Sequence, residues 1–283
     1  MTLRSARRTF FLPIAGGQRL AVLHPPKGTC RGRVLYVPPL AEEMNKARRM
    51  AALQAEALAA AGFAVLGIDL LGCGDSSGDF GDASWSAWLD DLSQAHAWLQ
   101  SEVDAPQGRD WLWGLRAGCL LAAALASRLP GPSRHLYWQP PASGRVLLQQ
   151  FLRLKSVGDL LDGHQGQNAI GGVEALKRAL QAGQTVEVAG YRLASGLASG
   201  LDVATLAPPA QGQQLVVLEL SNREGATLSP VVQKLVASWQ QAGCEARAEL
   251  VTGPAFWQTT EIEDAPALIA ATLRALTGEA SGA

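Results

Sequence analysis

Residues 114–118, Gly-Leu-Arg-Ala-Gly, have the spacing of a catalytic turn but carry a different residue at its centre. In a G-x-S-x-G turn, the two glycines let a buried strand reverse sharply into a helix, and the central serine hydroxyl is exposed above the sheet as a nucleophile. Here the centre is Arg116. A guanidinium stays protonated and has no free lone pair, so it cannot attack a carbonyl. The sequence therefore predicts a nucleophile turn that lacks its nucleophile.

Arg116 is suited to holding a negative charge, and two hypotheses stay open for it. An arginine at a buried turn is costly when unpaired, which favours an ion pair with Glu224. The alternative is recognition of an anionic ligand such as a carboxylate or phosphate, which could displace that pair. The backbone amide of Ala117, with a further amide from the turn at Leu40 and Ala41, is expected to favour negative charge at the same point.

Other residues that could do chemistry each have a simpler explanation. Cys73 and Cys119 are candidate substitute nucleophiles, but no histidine is close in sequence to activate either, so packing explains them better. His164 is either a surface residue or a base pointing into the pocket. Glu42 and Glu43 follow a predicted strand, and solvated or helix-capping carboxylates are favoured over an acid–base pair.

A parallel-sheet rhythm of strand, loop and helix positions these residues. Short apolar stretches predict strands at 9–14, 19–23, 32–37, 64–69, 111–115, 135–139, 214–220 and 246–251. Predicted helices run from a cap at Asn45 to Gly62, over 84–101, 117–129 and 230–242, and from a cap at Asp264 to Gly278. The predicted class is α/β, with a mostly parallel central sheet flanked by helices.

Residues 143–209 break this rhythm. They offer helices at 145–154 and 173–182, a glycine-rich segment at 163–172, and turns of small residues at 194–200. We interpret them as a helical cap inserted between two strands. The predicted core is then 1–142 together with 210–283.

Composition excludes several function classes. The chain has 283 residues, 48% of them hydrophobic, and a net charge of −1, so no electrostatic footprint for nucleic acid or an anionic membrane is present. No uncharged apolar run reaches the roughly eighteen residues of a membrane span, and the run at 10–12 is too short for the core of a signal peptide. The four cysteines form no C-x-x-C pair, which argues against zinc and against a disulfide framework. We expect a cytoplasmic protein with no metal and no cofactor.

Residues 69–78, DLLGCGDSSG, resemble the D-x-x-G-x-G-x-S-x-G loop of the α/β-hydrolase superfamily, and the nucleophile turn follows about 40 residues later. More narrowly, five segments are similar to a family of α/β-hydrolase-like proteins that accompany the bacterial exosortase A and PEP-CTERM sorting system. They are PPLAEEMNK at 38–46, WQP at 138–140, FLRL at 151–154, AGY at 189–191 and FWQT at 256–259. This resemblance implies the α/β-hydrolase fold and a context of exopolysaccharide synthesis and protein sorting, with partners from that system. It implies no defined reaction.

The superfamily pattern also places the other triad members. Its acid position falls on Glu224, and its histidine should lie on the loop at 253–257, Gly-Pro-Ala-Phe-Trp, which contains none. Two of three triad members are therefore absent. We predict a non-catalytic binding or accessory protein of the exosortase-associated pathway. The alternative is a hydrolase of esters or thioesters that uses Cys73, Cys119 or a cap histidine with an activated water.

Overall fold

The computed structural model describes residues 7–161, 169–208 and 213–278, without the side chains of 156–161 and 169–171. The strands are β1 (Arg8–Ile14), β2 (Gly17–His24), β3 (Gly32–Val37), β4 (Phe63–Ile68), β5 (Asp110–Leu115), β6 (Arg134–Trp138), β7 (Val186–Val188), β8 (Tyr191–Leu193), β9 (Gln214–Ser221) and β10 (Glu245–Thr252). The helices are α1 (Glu42–Ala60), α2 (Trp85–Glu102), α3 (Ala117–Ala126), α4 (Gly144–Leu161), α5 (Ala169–Gln181), α6 (Ser195–Val203), α7 (Pro230–Gln241) and α8 (Pro266–Thr277).

Eight strands form one twisted sheet in the order β1-β2-β4-β3-β5-β6-β9-β10. The pairs β1–β2 and β2–β4 are antiparallel and all the others are parallel. The central strands are apolar at nearly every position because helices cover both faces. One face packs against α1 and α8, and the other against α2, α3, α7 and part of the segment between β6 and β9. The predicted fold class is confirmed.

Two predicted helix starts are wrong, because their polar residues make tertiary contacts instead of capping. Helix α1 begins at Glu42, after Ala41, while Asn45 lies inside the helix and donates to Glu42 and to the Tyr191 hydroxyl. Helix α8 begins after Ala265. The carboxylate of Asp264, one residue earlier, accepts two hydrogen bonds of 2.8 Å from Arg49.

The segment between β6 and β9 contains α4, α5, α6 and the hairpin β7–β8, and its limits as a cap at 143–209 stay a prediction. The turns predicted at 194–200 are wrong, since this stretch lies in α6. Its small residues serve close packing, because a side chain at Gly200 would overlap Trp85. Of the glycine-rich stretch, 162–168 lies outside the described residues. Across the described part of the chain, no helix combines the length and apolar character needed to cross a membrane.

Candidate functional site

The turn at 114–118 has the backbone of a nucleophile elbow, as predicted. Arg116 joins β5 to α3 with φ 53° and ψ −115°, a strained conformation for a residue with a side chain. A Cβ on Gly114 would lie 2.6 Å from the Cys119 Cα, and one on Gly118 would overlap the Val37 carbonyl oxygen. Both glycines are therefore required by the close approach of strand and helix. Helix α3 ends at Ala126, three residues earlier than predicted.

The carboxylate partner of Arg116 is Glu43, so the expected pair with Glu224 is wrong. Arg116 Nε lies 3.2 Å from Glu43 Oε1, and its Nη2 donates to Gln150 Oε1 on α4 at 3.3 Å. Glu224 is exposed on the loop after β9. Glu43 is closer because α1 starts directly beside the elbow, at the carboxyl end of the neighbouring strand β3. The pair is largely buried, with side-chain exposures of 11% for Arg116 and 20% for Glu43.

A cavity of about 650 Å³ opens above the elbow, at the carboxyl ends of the strands. Its polar lining is formed by Glu42, Glu43, Lys46, Arg116, Gln139, Gln150 and Gln258, and its apolar lining by Leu40, Leu147, Phe151, Leu154, Leu220, Ala255 and Trp257. The guanidinium of Arg116 also lies 6.0 Å from the centre of the Trp257 ring. Trp257 therefore lies by the elbow on the loop where the triad histidine was expected.

Burial raises the pKa of the Glu43 carboxyl, while the positive charge of Arg116 and hydrogen bonds from Arg116 and Gln258 act in the opposite direction. Without Arg116, or with Arg116 engaged elsewhere, Glu43 would take up a proton more readily. The Arg116–Glu43 pair is thus coupled to pH and to any charged ligand.

Two unpaired backbone amides lie at the helix starts next to this pair. Ala41 has φ 52° and ψ −126°, close to the conformation of Arg116, and each of these residues precedes a helix. The amides of Ala41 and Ala117 donate to no group among the described residues. Such amides at helix N-termini favour a bound anion. The ligand-binding role expected for Leu40, Ala41 and Ala117 stays a prediction, and of these three Leu40 lines the cavity.

The substitute nucleophiles are buried, in agreement with the packing interpretation. Cys119 is fully buried and its Sγ contacts the Gly114 carbonyl oxygen at 3.3 Å, and burial raises the pKa of this thiol well above its usual value. Burial also raises the pKa of Cys73 to about 12. Neither residue lines the cavity. Thiols in this state are not nucleophilic near neutral pH.

No serine, threonine, cysteine or histidine occurs among the described residues that line the cavity. His135, for example, is buried in the core between Gln213 and Tyr137, where desolvation lowers its pKa to about 4. The cap candidate His164 lies outside the described residues. Glu42, the neighbour of Glu43, accepts a hydrogen bond of 3.0 Å from the Tyr191 hydroxyl and so ties hairpin β7–β8 to α1.

Sequence reasoning missed several lining residues, namely Gln139, Gln150, Trp257 and Gln258. For Gln139, Trp257 and Gln258 the available signal was the set of short segments that carry the narrower resemblance, whereas Gln150 lies outside all of them. Four of these segments, at 38–46, 138–140, 151–154 and 256–259, each contribute at least one lining residue. These segments are far apart in the sequence and meet at the carboxyl ends of the strands.

Comparisons with known proteins agree on the fold. The family model described as X-Pro dipeptidyl-peptidase (S15 family) matches residues 20–146, less than half of the chain. No curated protein sequence matches significantly.

Solved structures match over nearly the whole chain. Est1E from Butyrivibrio proteoclasticus, with bound ferulic acid, is 13% identical with a TM-score of 0.62, covering 95% of this chain and 96% of that one. A highly thermostable carboxyl esterase from Bacillus coagulans is 14% identical with a TM-score of 0.63, covering 96% and 98%. A monoglyceride lipase variant from Saccharomyces cerevisiae is 11% identical with a TM-score of 0.61, covering 99% of both. The mostly parallel sheet, the elbow between β5 and α3, and these likenesses together show that the chain has the α/β-hydrolase fold.

Proposed function

We propose that this protein is a non-hydrolytic member of the α/β-hydrolase superfamily that binds an anionic ligand in the cavity above its elbow. The observation that carries the proposal is the guanidinium of Arg116 at the nucleophile position, beside a cavity of about 650 Å³. The described lining supplies no hydroxyl or thiol nucleophile of the serine, threonine or cysteine type and no histidine. In subtilisin, loss of the triad serine or histidine alone reduces turnover by roughly 10⁶.

Arg116 retains hydrogen-bonding capacity for a ligand. Its contacts with Glu43 and Gln150 use two of the five N–H donors of the guanidinium. A ligand carboxylate or phosphate that takes the free edge competes with Glu43, whose raised pKa makes it easier to protonate as the pair loosens. Binding of the anion should therefore strengthen as the pH falls toward the raised pKa of Glu43.

The ligand should also have an apolar part. Helix α4 contributes Leu147, Phe151 and Leu154 to the cavity wall. A negatively charged head at Arg116 with an acyl or similar apolar group beneath α4 fits both sides of the cavity. This is the chemistry of a carboxylic acid or an acyl phosphate rather than of a free inorganic ion.

We further propose a biological context, an accessory role in the exosortase-associated pathway of exopolysaccharide synthesis and protein sorting in the cytoplasm. Support comes from the segments at 38–46, 138–140, 151–154, 189–191 and 256–259. Partner proteins would come from that system. Co-purification of the tagged protein from a native host, with and without the exosortase genes, tests this part of the proposal.

Calorimetric titration with acetate, hexanoate and hexyl phosphate tests ligand binding. We expect saturable binding of hexanoate or hexyl phosphate, weaker binding of acetate, and a loss of at least about tenfold in Arg116→Gln. The exposed Arg128→Gln variant, which loses only a surface pair with Asp90, is the matched control and should bind normally.

The same preparations should be assayed on ester, thioester and X-Pro peptide substrates. Turnover well above background that Arg116→Gln, Cys73→Ala or Cys119→Ala abolishes would favour the alternative, a hydrolase with a non-standard nucleophile. Equal ligand affinity in wild type and Arg116→Gln would contradict the binding proposal.

A further inference from the structure

A second cavity, of about 270 Å³, lies between α1 and the sheet and shares no lining residue with the elbow cavity. Its floor is the α1-facing side of β2, β4 and β3, and Ala51 and Ala55 of α1 form part of its wall. The volume of this cavity is well above the roughly 150 Å³ of an engineered protein cavity that holds a benzene molecule. It has the size of a site for a small substituted aromatic ring.

Gly67 in the middle of the sheet creates this space. It pairs with Val22 on β2, where the register continues to Ile68, and with Tyr36 on β3, where Gly67 is the last paired residue. A glycine inside a strand weakens the strand, and it usually marks a bulge or the close approach of another backbone or a ligand. Here there is no bulge, and within 4 Å of an added Cβ lies a single atom, Tyr36 Cδ1 at 3.9 Å. Gly67 therefore leaves room for a ligand to approach the sheet closely from the α1 side.

Aromatic rings form one side of the space. Tyr36 and Trp113 both line it, and their ring centres lie 4.4 Å apart at an interplanar angle of 46°. The Tyr36 hydroxyl donates to no group in the described part of the chain, and burial raises the pKa of this phenol, so it remains a hydrogen-bond donor. An apolar slot with aromatic walls and a free hydroxyl suits a planar ring that carries one polar group.

The charges around the cavity favour an acid. Arg7 and Arg48 line it against a single carboxylate, that of Asp69. Arg48 Nη2 donates to Asp69 Oδ2 at 3.0 Å, while the Arg48 side chain remains 44% exposed and keeps donors for a second anion. Burial lowers the pKa of His24, the remaining titratable group of the lining apart from Tyr36, so His24 adds no charge near neutral pH.

We propose that this cavity is a second ligand site, for a small aromatic carboxylic acid, with the ring over Gly67 and the carboxylate at Arg48 and the Tyr36 hydroxyl. The site is separate from the elbow cavity and does not depend on the function proposed for it. The sequence stretch that forms its floor, 63–68, contains no polar residue and gave no sign of a site.

Ligand-observed NMR titration with benzoate, benzamide and acetate tests the proposal in an Arg116→Gln background, which removes the guanidinium proposed to hold carboxylates at the elbow. Benzoate should bind saturably to Arg116→Gln and acetate should not. Gly67→Val fills the space from a backbone position that any residue can adopt, so it should reduce benzoate affinity at least about tenfold while the melting temperature stays equal or rises. Arg48→Gln should weaken benzoate about fivefold and leave benzamide unchanged.

Two control variants make the result specific. Gly131→Val adds the same side chain in open space on a distant loop and should bind benzoate normally. Arg128→Gln, at an exposed pair with Asp90, is the matched control for Arg48→Gln and should also leave benzoate binding normal. If Gly67→Val fails to fold, Ala51→Leu fills the cavity from the helix side and takes its place.

Absence of saturable benzoate binding to Arg116→Gln would overturn the proposal, as would unchanged affinity when the cavity-filling substitution is added to it. Loss of benzoate binding in Arg116→Gln would assign the acid to the elbow cavity. That outcome would support the proposed function and reject the second site.

Discussion

The residue pair Arg116 and Glu43 can be tested through the pH dependence of stability. Removing the guanidinium in Arg116→Gln leaves Glu43 in a largely buried position without its compensating charge. The expected loss is about 2–3 kcal/mol of unfolding free energy at pH 7.5, measured by urea denaturation. Glutamine keeps most of the side-chain volume, so packing changes little.

The sign of the pH effect follows from the direction of the Glu43 pKa. Burial raises the folded-state pKa above the ordinary value of 4.5, and loss of Arg116 raises it further. The folded protein then binds more protons than the unfolded chain, so stability falls as the pH rises from about 4.5 to the raised pKa. The deficit of Arg116→Gln should therefore be smaller at pH 5.0 than at pH 7.5, and Glu43→Gln added to it should remove this difference. A deficit independent of pH would contradict the coupling.

Cysteine reactivity is a second prediction at the residue scale. Cys73 and Cys119 are buried, and burial raises both thiol pKa values, Cys73 to about 12. Because the thiolate is the reactive form, alkylation of both residues by iodoacetamide at pH 8 should require unfolding, whereas the partly exposed Cys30 reacts in the native state. Peptide mapping by mass spectrometry after timed labelling gives the rates. Rapid labelling of Cys119 in the native state would contradict this prediction and favour Cys119 as a candidate nucleophile.

At the scale of elements, the junction of β5 and α3 depends on its glycines. An alanine at position 118 would overlap the Val37 carbonyl oxygen, a backbone atom that cannot move without displacing β3. Gly118→Ala should therefore destabilise the protein by about 3 kcal/mol or more. Gly131→Ala, where the added Cβ meets no atom within 4 Å, is the control and should change stability by less than about 0.5 kcal/mol. Urea denaturation of both variants would reject the argument if their midpoints agreed.

The central elements could be predicted from the sequence because their patterns are local. The apolar runs at 32–37 and 64–69 and the glycine spacing at 114–118 gave the sheet and the elbow. Hairpin β7–β8 was missed because its strands have three residues each, too few for a periodic signal. The sequence predicts turns where helix α6 lies, because the small residues that allow its tight packing against α2 are also common in turns.

The site could be predicted only in part, for a related reason. Arg116 was found because it interrupts a motif, but its partner is set by the tertiary position of α1. Glu224 is aligned with the superfamily's acid yet exposed, whereas Glu43 lies at the elbow because β3 is adjacent to β5. The cavity at Gly67 could not be predicted from the sequence, because the space exists where a side chain is absent and a single glycine is its only sign.

At the scale of the whole molecule, a buried ion pair joins the antiparallel part of the sheet to the rest of the fold. Arg19 on β2 and Asp91 on α2 are each 2% exposed, with Arg19 Nε 2.8 Å from Asp91 Oδ2. The same carboxylate oxygen accepts a hydrogen bond of 2.8 Å from the backbone amide of Leu71, in the loop after β4. The carboxylate of Asp91 on α2 therefore holds both β2 and the loop after β4. Removing a single partner should weaken the global unfolding transition rather than fray one edge.

Arg19→Met leaves the Asp91 charge buried and uncompensated, for an expected loss of about 3–5 kcal/mol with an unchanged denaturant m-value. Arg19→Met with Asp91→Asn should recover part of this loss, because the amide oxygen can still accept from Leu71 while the unpaired charge is gone. Arg128→Gln, at an exposed pair with Asp90, should change stability by less than about 0.5 kcal/mol. A loss below about 1 kcal/mol in Arg19→Met, or a second transition in its unfolding curve, would show that β1 and β2 are held to the sheet mainly by strand pairing and apolar contacts.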